Sequence, residues 1–141
     1  LKIERKIFNE LALLDDFKNC TDLKYNIQLY ISDNNYIVPD FYSEGCGAIG
    51  EIYVHIGKLK SSQQDKIASD ILKMLSYEKI SNKSLTKYVV IRDNVLNKQL
   101  TGKSFLAESI RIFGIKLLNI NIDDTLRDEL LKTMKRQDIT K

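Results

Sequence analysis

Cysteine and histidine, the softer metal-binding side chains, are scarce: the chain has two cysteines, Cys20 and Cys46, and one histidine, His55. Neither cysteine sits in a CxxC pair, so a disulfide scaffold and a structural zinc site both lack the ligands they need. The two are expected as free thiols. No stretch reaches the ~20 consecutive apolar residues of a membrane-spanning helix, and the opening residues lack the basic, apolar and small-residue series of a secretory signal. These absences lead us to expect a soluble, cytoplasmic protein with no membrane partner. With one proline and six glycines, no linker, repeat or low-complexity tract interrupts the chain. Leu1 in place of Met suggests a processed chain or a domain cut from a longer parent.

What is present suits one globular domain spanning 1–141. A chain of 141 residues, 43% hydrophobic and 29% charged, can bury roughly two-thirds of its unfolded surface. The net charge of +3 is unevenly spread: residues 1–57 carry 5 basic and 9 acidic side chains, and residues 58–111 carry 11 basic and 5 acidic. An acidic first third before a basic middle suits a protein that holds cations beside a polyanion, and equally an ordinary solvated surface.

Ile3, Ile7, Leu11 and Leu14 recur at helical spacing, which predicts an amphipathic helix over 3–17. Residues 25–31 and 36–41 read as a hairpin around Asp33-Asn34-Asn35. Residues 48–56 read as a third strand, with Glu51, Tyr53 and His55 on one face and Ile52, Val54 and Ile56 on the other. A helix capped by Ser61 or Ser62 runs to about Tyr77, with Ile67, Ile71, Met74 and Leu75 as its buried stripe. A strand over 88–91, a helix over 105–113, a strand over 115–122 and a charged helix over 124–137 complete the series. A hairpin start followed by βαβ alternation implies an α/β fold with a mixed central sheet flanked by helices.

Asp40 ends the second strand and Glu51 lies in the third. Neighbouring strands run about 4.8 Å apart, so one carboxylate from each can meet on a hard divalent cation. Pro39-Asp40, then Glu51-Ile52-Tyr53, then the helix beginning near Ser61-Ser62-Gln63, together with Glu4 and Glu10 on the first helix, resemble the PD-(D/E)xK nuclease superfamily. The run from Gly50 through Gly57-Lys58, Lys60, Gln63, Lys66-Ile67 and Asp70 resembles more narrowly a group of small bacterial proteins of that type. The resemblance covers most of residues 3–122 and implies a restriction-endonuclease-like α-β-β-β-α-β core. It also implies Mg²⁺ or Mn²⁺ held by Asp40 and Glu51, and a nucleic-acid substrate, DNA ahead of RNA.

The sequence departs from that pattern at Tyr53, where the resemblance calls for a lysine. A neutral phenol cannot offset charge building on phosphate oxygens. Two lysines compete for the role: Lys58, which a bulge at Gly57 could turn inward, and Lys66, one turn into the helix. Lys58 is narrowly preferred. His55 suits a general base or ligand as well as a structural place, and Gln63 suits water or phosphate positioning as well as a plain helix-start residue. The expected activity is metal-dependent phosphodiester hydrolysis. The competing expectation is a catalytically silent module of the same fold, binding nucleic acid or a protein partner in a defence, restriction or toxin system, as a homodimer or within a parent chain. Leu100-Thr101-Gly102-Lys103-Ser104 is not a phosphate loop, because that motif needs glycine where Asn97 stands and a strand just before it.

Overall fold

Five consecutive buried residues, Ala48–Ile52, form the middle of the sheet. The computed structural model describes residues 2–120. Along it run α1 (Lys2–Leu11), β1 (Lys24–Tyr25), β2 (Leu29–Tyr30), β3 (Tyr36–Ile37), β4 (Phe41–Ser43), β5 (Ala48–Ile52), α2 (Ser61–Ser81), β6 (Thr86–Ile91), α3 (Asn94–Leu100), α4 (Phe105–Ile112) and β7 (Lys116–Asn119). The strand order is β1-β4-β5-β6-β7, and β2 with β3 forms a separate two-stranded ribbon. The strands β1, β4 and β5 pair antiparallel, whereas β5, β6 and β7 pair parallel through helical crossovers. The mixed α/β architecture with a five-stranded sheet flanked by helices agrees with the sequence.

Alternation along β5 and β6 divides the core into two layers. Ile49, Val89 and Ile91 pack with Ile67, Ile71 and Met74 of α2 and with Leu96, Leu100 and Ile110 of α3 and α4. Ala48, Ile52, Tyr88 and Val90 pack with Ile7 and Leu11 of α1 and with Phe17. Position 50 faces the second side and holds glycine because Phe41 fills the space a side chain would take: a Cβ there would stand 2.1 Å from Phe41 Cζ.

Several boundaries differ from the sequence expectation. The anticipated 25–31/36–41 hairpin is split, since Tyr25 pairs with Phe41 of β4, and only Leu29–Tyr30 pairs with Tyr36–Ile37. Asn26, at φ 54°, turns the chain left-handed between β1 and β2 and interrupts the strand. The first helix stops at Leu11, and Leu14 and Phe17 continue the apolar series in turns. The third strand ends at Ile52 rather than 56. Its Glu51 face lies against α2: Glu51 is buried, and the Tyr53 hydroxyl reaches Asp70 of that helix. Lys60, not a serine, occupies the N-cap of α2, and the helix runs on to Ser81 before Asn82 ends it at φ 55°. The helix Asn94–Leu100 was not foreseen; Asp93 caps it by accepting from the Leu96 amide at 3.0 Å. The expected helix over 124–137 lies outside the described residues.

The free-thiol expectation is also overturned: Cys20 and Cys46 are joined as a disulfide, with their Cα atoms 6.0 Å apart. The bridge fastens the segment after α1 to the β4–β5 turn. Spacing along the chain gives no sign of it, because the two residues are 26 apart and meet only through the fold. Disulfides persist in oxidising compartments and are rare in the reducing cytosol, so the pairing gives the cytoplasmic expectation no support. No helix among the described residues is long and apolar enough to cross a membrane.

Candidate functional site

Asp40 immediately precedes β4, and the β4–β5 register pairs Phe41 with Gly50. One step further along that antiparallel ladder, Asp40 stands opposite Glu51. Directly opposed residues share a face, with Cβ atoms about 5 Å apart. The Ile52 amide donates to Asp40 Oδ2 at 2.6 Å, and the Asn26 amide donates to the Asp40 carbonyl at 3.2 Å. Asp40 is thereby fixed from both neighbouring segments.

A cavity of about 300 Å³ opens here, with Glu4, Asp40, Glu51, Tyr53, His55, Gln63 and Lys66 among its lining. A larger groove of about 430 Å³ lies between α2 and α4, lined mainly by apolar side chains such as Leu72, Phe105 and Phe113. The smaller cavity carries the clustered charge, so the chemistry belongs there.

Three carboxylates crowd the cavity. Burial pushes the Glu51 carboxyl up to about 10, and the neighbouring Asp40 carboxylate adds to the rise, while Lys66 opposes it. Glu4 is raised to about 7, first by burial and then by Asp40, although the Tyr25 hydroxyl donates to Glu4 Oε1 at 2.8 Å and works the other way. Tyr25 itself rises to about 12, by burial first and Glu4 second. Of the two acids on the first helix, it is Glu4 that lines the cavity. The donors here are all oxygens, the set preferred by hard cations.

Asp70 completes the arrangement from α2. It is 5% exposed, and its Oδ2 accepts from the Tyr53 hydroxyl at 2.7 Å and from Lys66 Nζ at 3.2 Å. Lys66 Nζ lies 5.9 Å from the Tyr53 ring centre. Burial pulls the Lys66 amine down, but Asp70, then Glu51 and Asp40, raise it on balance. The phenol of Tyr53 is held well above its ordinary range by burial, with Asp70 contributing. Sequence reasoning gave Asp70 no role beyond its place in the run of similar residues. The available signal was its position: it falls on the stripe of Ile67, Ile71 and Met74, where an acid is out of place unless paired.

The remaining candidates separate. Lys58 is exposed and lies outside the cavity lining, and its backbone carbonyl accepts from His55 Nε2 at 3.3 Å. Gly57 takes φ 91° and donates its amide to Asp93 at 3.0 Å, but β5 has already ended, so no bulge turns Lys58 inward. Gln63 donates to His55 Nδ1 at 3.3 Å and accepts from the Lys60 amide at 2.8 Å. This assigns His55 the Nε2–H tautomer and leaves both ring nitrogens engaged. Histidine and glutamine therefore brace the start of α2 at the cavity edge.

Among the described residues, one group of three side chains brings its ligand atoms all within 4.8 Å of one another: Cys20, Asp22 and Cys46. Two of these are consumed by the disulfide. Glu4, Asp40 and Glu51 do not close to that spacing, so they make no three-carboxylate cage. Compared with known proteins, the chain matches no family model, no curated protein and no solved structure.

Proposed function

We propose that this protein is a Mg²⁺- or Mn²⁺-dependent phosphodiesterase acting on nucleic acid, DNA ahead of RNA, on a PD-(D/E)xK-like fold. The observation that carries this reading is the opposition of Asp40 and Glu51 on adjoining strands, in one cavity with Lys66 beside it. The fit to a hard cation rests on the donors: two oxygen ligands, with room for water, match the way Mg²⁺ keeps part of its hydration shell. Burial first and the Asp40 charge second raise the Glu51 carboxyl, and a cation bound beside it would favour the ionised form. Bound there, the ion would polarise a phosphate oxygen and make a water more acidic.

The chain's own residues supply the rest. Asp40 and Glu51 would hold the ion, with Asp40 Oδ2 also accepting from the Ile52 amide. Lys66 would offset negative charge as it builds on the phosphoryl oxygens, the task that Tyr53 cannot perform. Water would form the new bond to phosphorus and give up one proton as the ester P–O bond breaks, and the leaving oxygen would take up one proton. His55 and Gln63 shape the cavity edge.

The second reading is a catalytically silent module of the same fold that binds nucleic acid or a protein. It is favoured by Tyr53, which stands where a lysine belongs and is already bound to Asp70. Incubation with supercoiled plasmid and Mn²⁺ separates the two. The first reading expects nicking by the wild type and none by Asp40→Ala or Glu51→Ala; equal nicking by all three removes the proposed site.

A further inference from the structure

Lys66 is a long, exposed side chain: 69% of its side-chain surface meets solvent. Left to itself such an amine samples many rotamers, and a charge that must offset a developing anion works only when held in place. Asp70 supplies the hold. It lies one helical turn beyond Lys66 on α2, is nearly buried, and has lysines on both sides: Lys66 Nζ is 3.2 Å from Oδ2, whereas Lys73 Nζ is 3.9 Å from Oδ1. The Tyr53 hydroxyl, donating to Oδ2 at 2.7 Å from beyond the end of β5, turns that oxygen toward the sheet and the carboxylate pocket. Tyr53 and Lys66 thus share Oδ2, while Lys73 approaches Oδ1.

We propose that Tyr53 and Asp70 are positioning residues that fix the Lys66 ammonium over the Asp40–Glu51 pocket. The proposal rests on the phosphodiesterase reading for its purpose. On this account the tyrosine does not replace a lysine chemically; it anchors the carboxylate that aims a lysine arriving from the helix. The three residues form one unit, so removing any of them should disturb the same step.

The test has two arms. In the first, lysines are reductively ¹³C-methylated, which keeps their charge, and the Lys66 signal is assigned with Lys66→Arg. The signal is expected apart from those of exposed lysines in the wild type, and among them in both Asp70→Asn and Tyr53→Phe. An unchanged Lys66 signal in both folded variants overturns the proposal. Should Asp70→Asn fail to fold, Tyr53→Phe alone decides the point.

In the second arm, plasmid nicking with Mn²⁺ is measured at varied DNA concentration. Asp70→Asn and Tyr53→Phe are each expected to lower kcat by about tenfold, the scale on which outer partners of a reacting site act, with KM little changed. In a Lys66→Met background neither should cause further loss. Fully additive losses in that background overturn the proposal, because a general structural role would persist without the amine. A wild type that leaves plasmid intact counts against the phosphodiesterase reading alone, since the methyl signal reports position without turnover.

Discussion

The Ile52 amide donates to Asp40 Oδ2 at 2.6 Å, so a proposed metal ligand is also a strand-to-strand tie. The two duties can be separated by substitution. Asp40→Ala strands a backbone donor at the edge of the core, and should lower unfolding free energy by about 2 kcal/mol, the penalty for an unsatisfied buried amide. Asp40→Asn keeps an acceptor for the Ile52 amide, so it should lose less. Urea denaturation of both variants checks this, with a smaller loss expected for Asn than for Ala.

The pH dependence of stability follows from Glu51 and Glu4. Both carboxyls are raised in the folded protein, to about 10 and about 7, from an ordinary value of 4.5. A raised acid binds its proton more tightly when folded, so its favourable contribution is present below the unfolded value and is lost as pH rises toward the folded one. In metal-free buffer, stability should therefore decline from pH 4.5 through 7 and continue toward 10 as these two groups ionise. Glu51→Gln should flatten the upper part of that decline, as read from denaturation midpoints across the range. A wild-type curve that rises across this window, with Glu51→Gln unchanged, would contradict the assignment.

The disulfide makes a separate prediction. Joining residues 26 apart restricts the unfolded chain by about 3.5 kcal/mol on the loop-entropy scale. Cys20→Ser with Cys46→Ser should lose stability of that order, and thiol counting on the unfolded, unreduced protein should find no free sulfhydryl. Two titratable thiols in freshly isolated protein would refute the pairing.

Legibility in the sequence followed interaction range. The helix α2 shows in its apolar stripe at helical spacing and β5 in its two-residue alternation, while β6 shows as a short, fully apolar run. The Asp40–Glu51 opposition was legible because one short turn joins β4 and β5, which places the residue just before β4 across from one late in β5. Asn26 and the split hairpin were not, since a single left-handed residue leaves the surrounding alternation intact. Nor was the cover over Glu51: α2 is supplied by the crossover, and a strand pattern cannot tell a solvated polar face from a buried one. Lys58 and Lys66 are competing candidates in the sequence, and the early end of β5 at Ile52 separates them. Asp70 was visible as an acid on an apolar stripe, and its partner Tyr53 became evident only when helix and sheet were brought together.

The central claim is that Asp40 and Glu51 hold a divalent cation. Calorimetric titration of Mn²⁺ into the wild type, Asp40→Asn and Glu51→Gln at pH 7.5 tests it most directly, because it reads the site without needing a substrate. The account predicts saturable binding by the wild type with proton release, as the raised carboxyls ionise around the metal, and affinity at least about tenfold lower in each variant. Binding of equal strength by all three proteins, or none by the folded wild type, would contradict it.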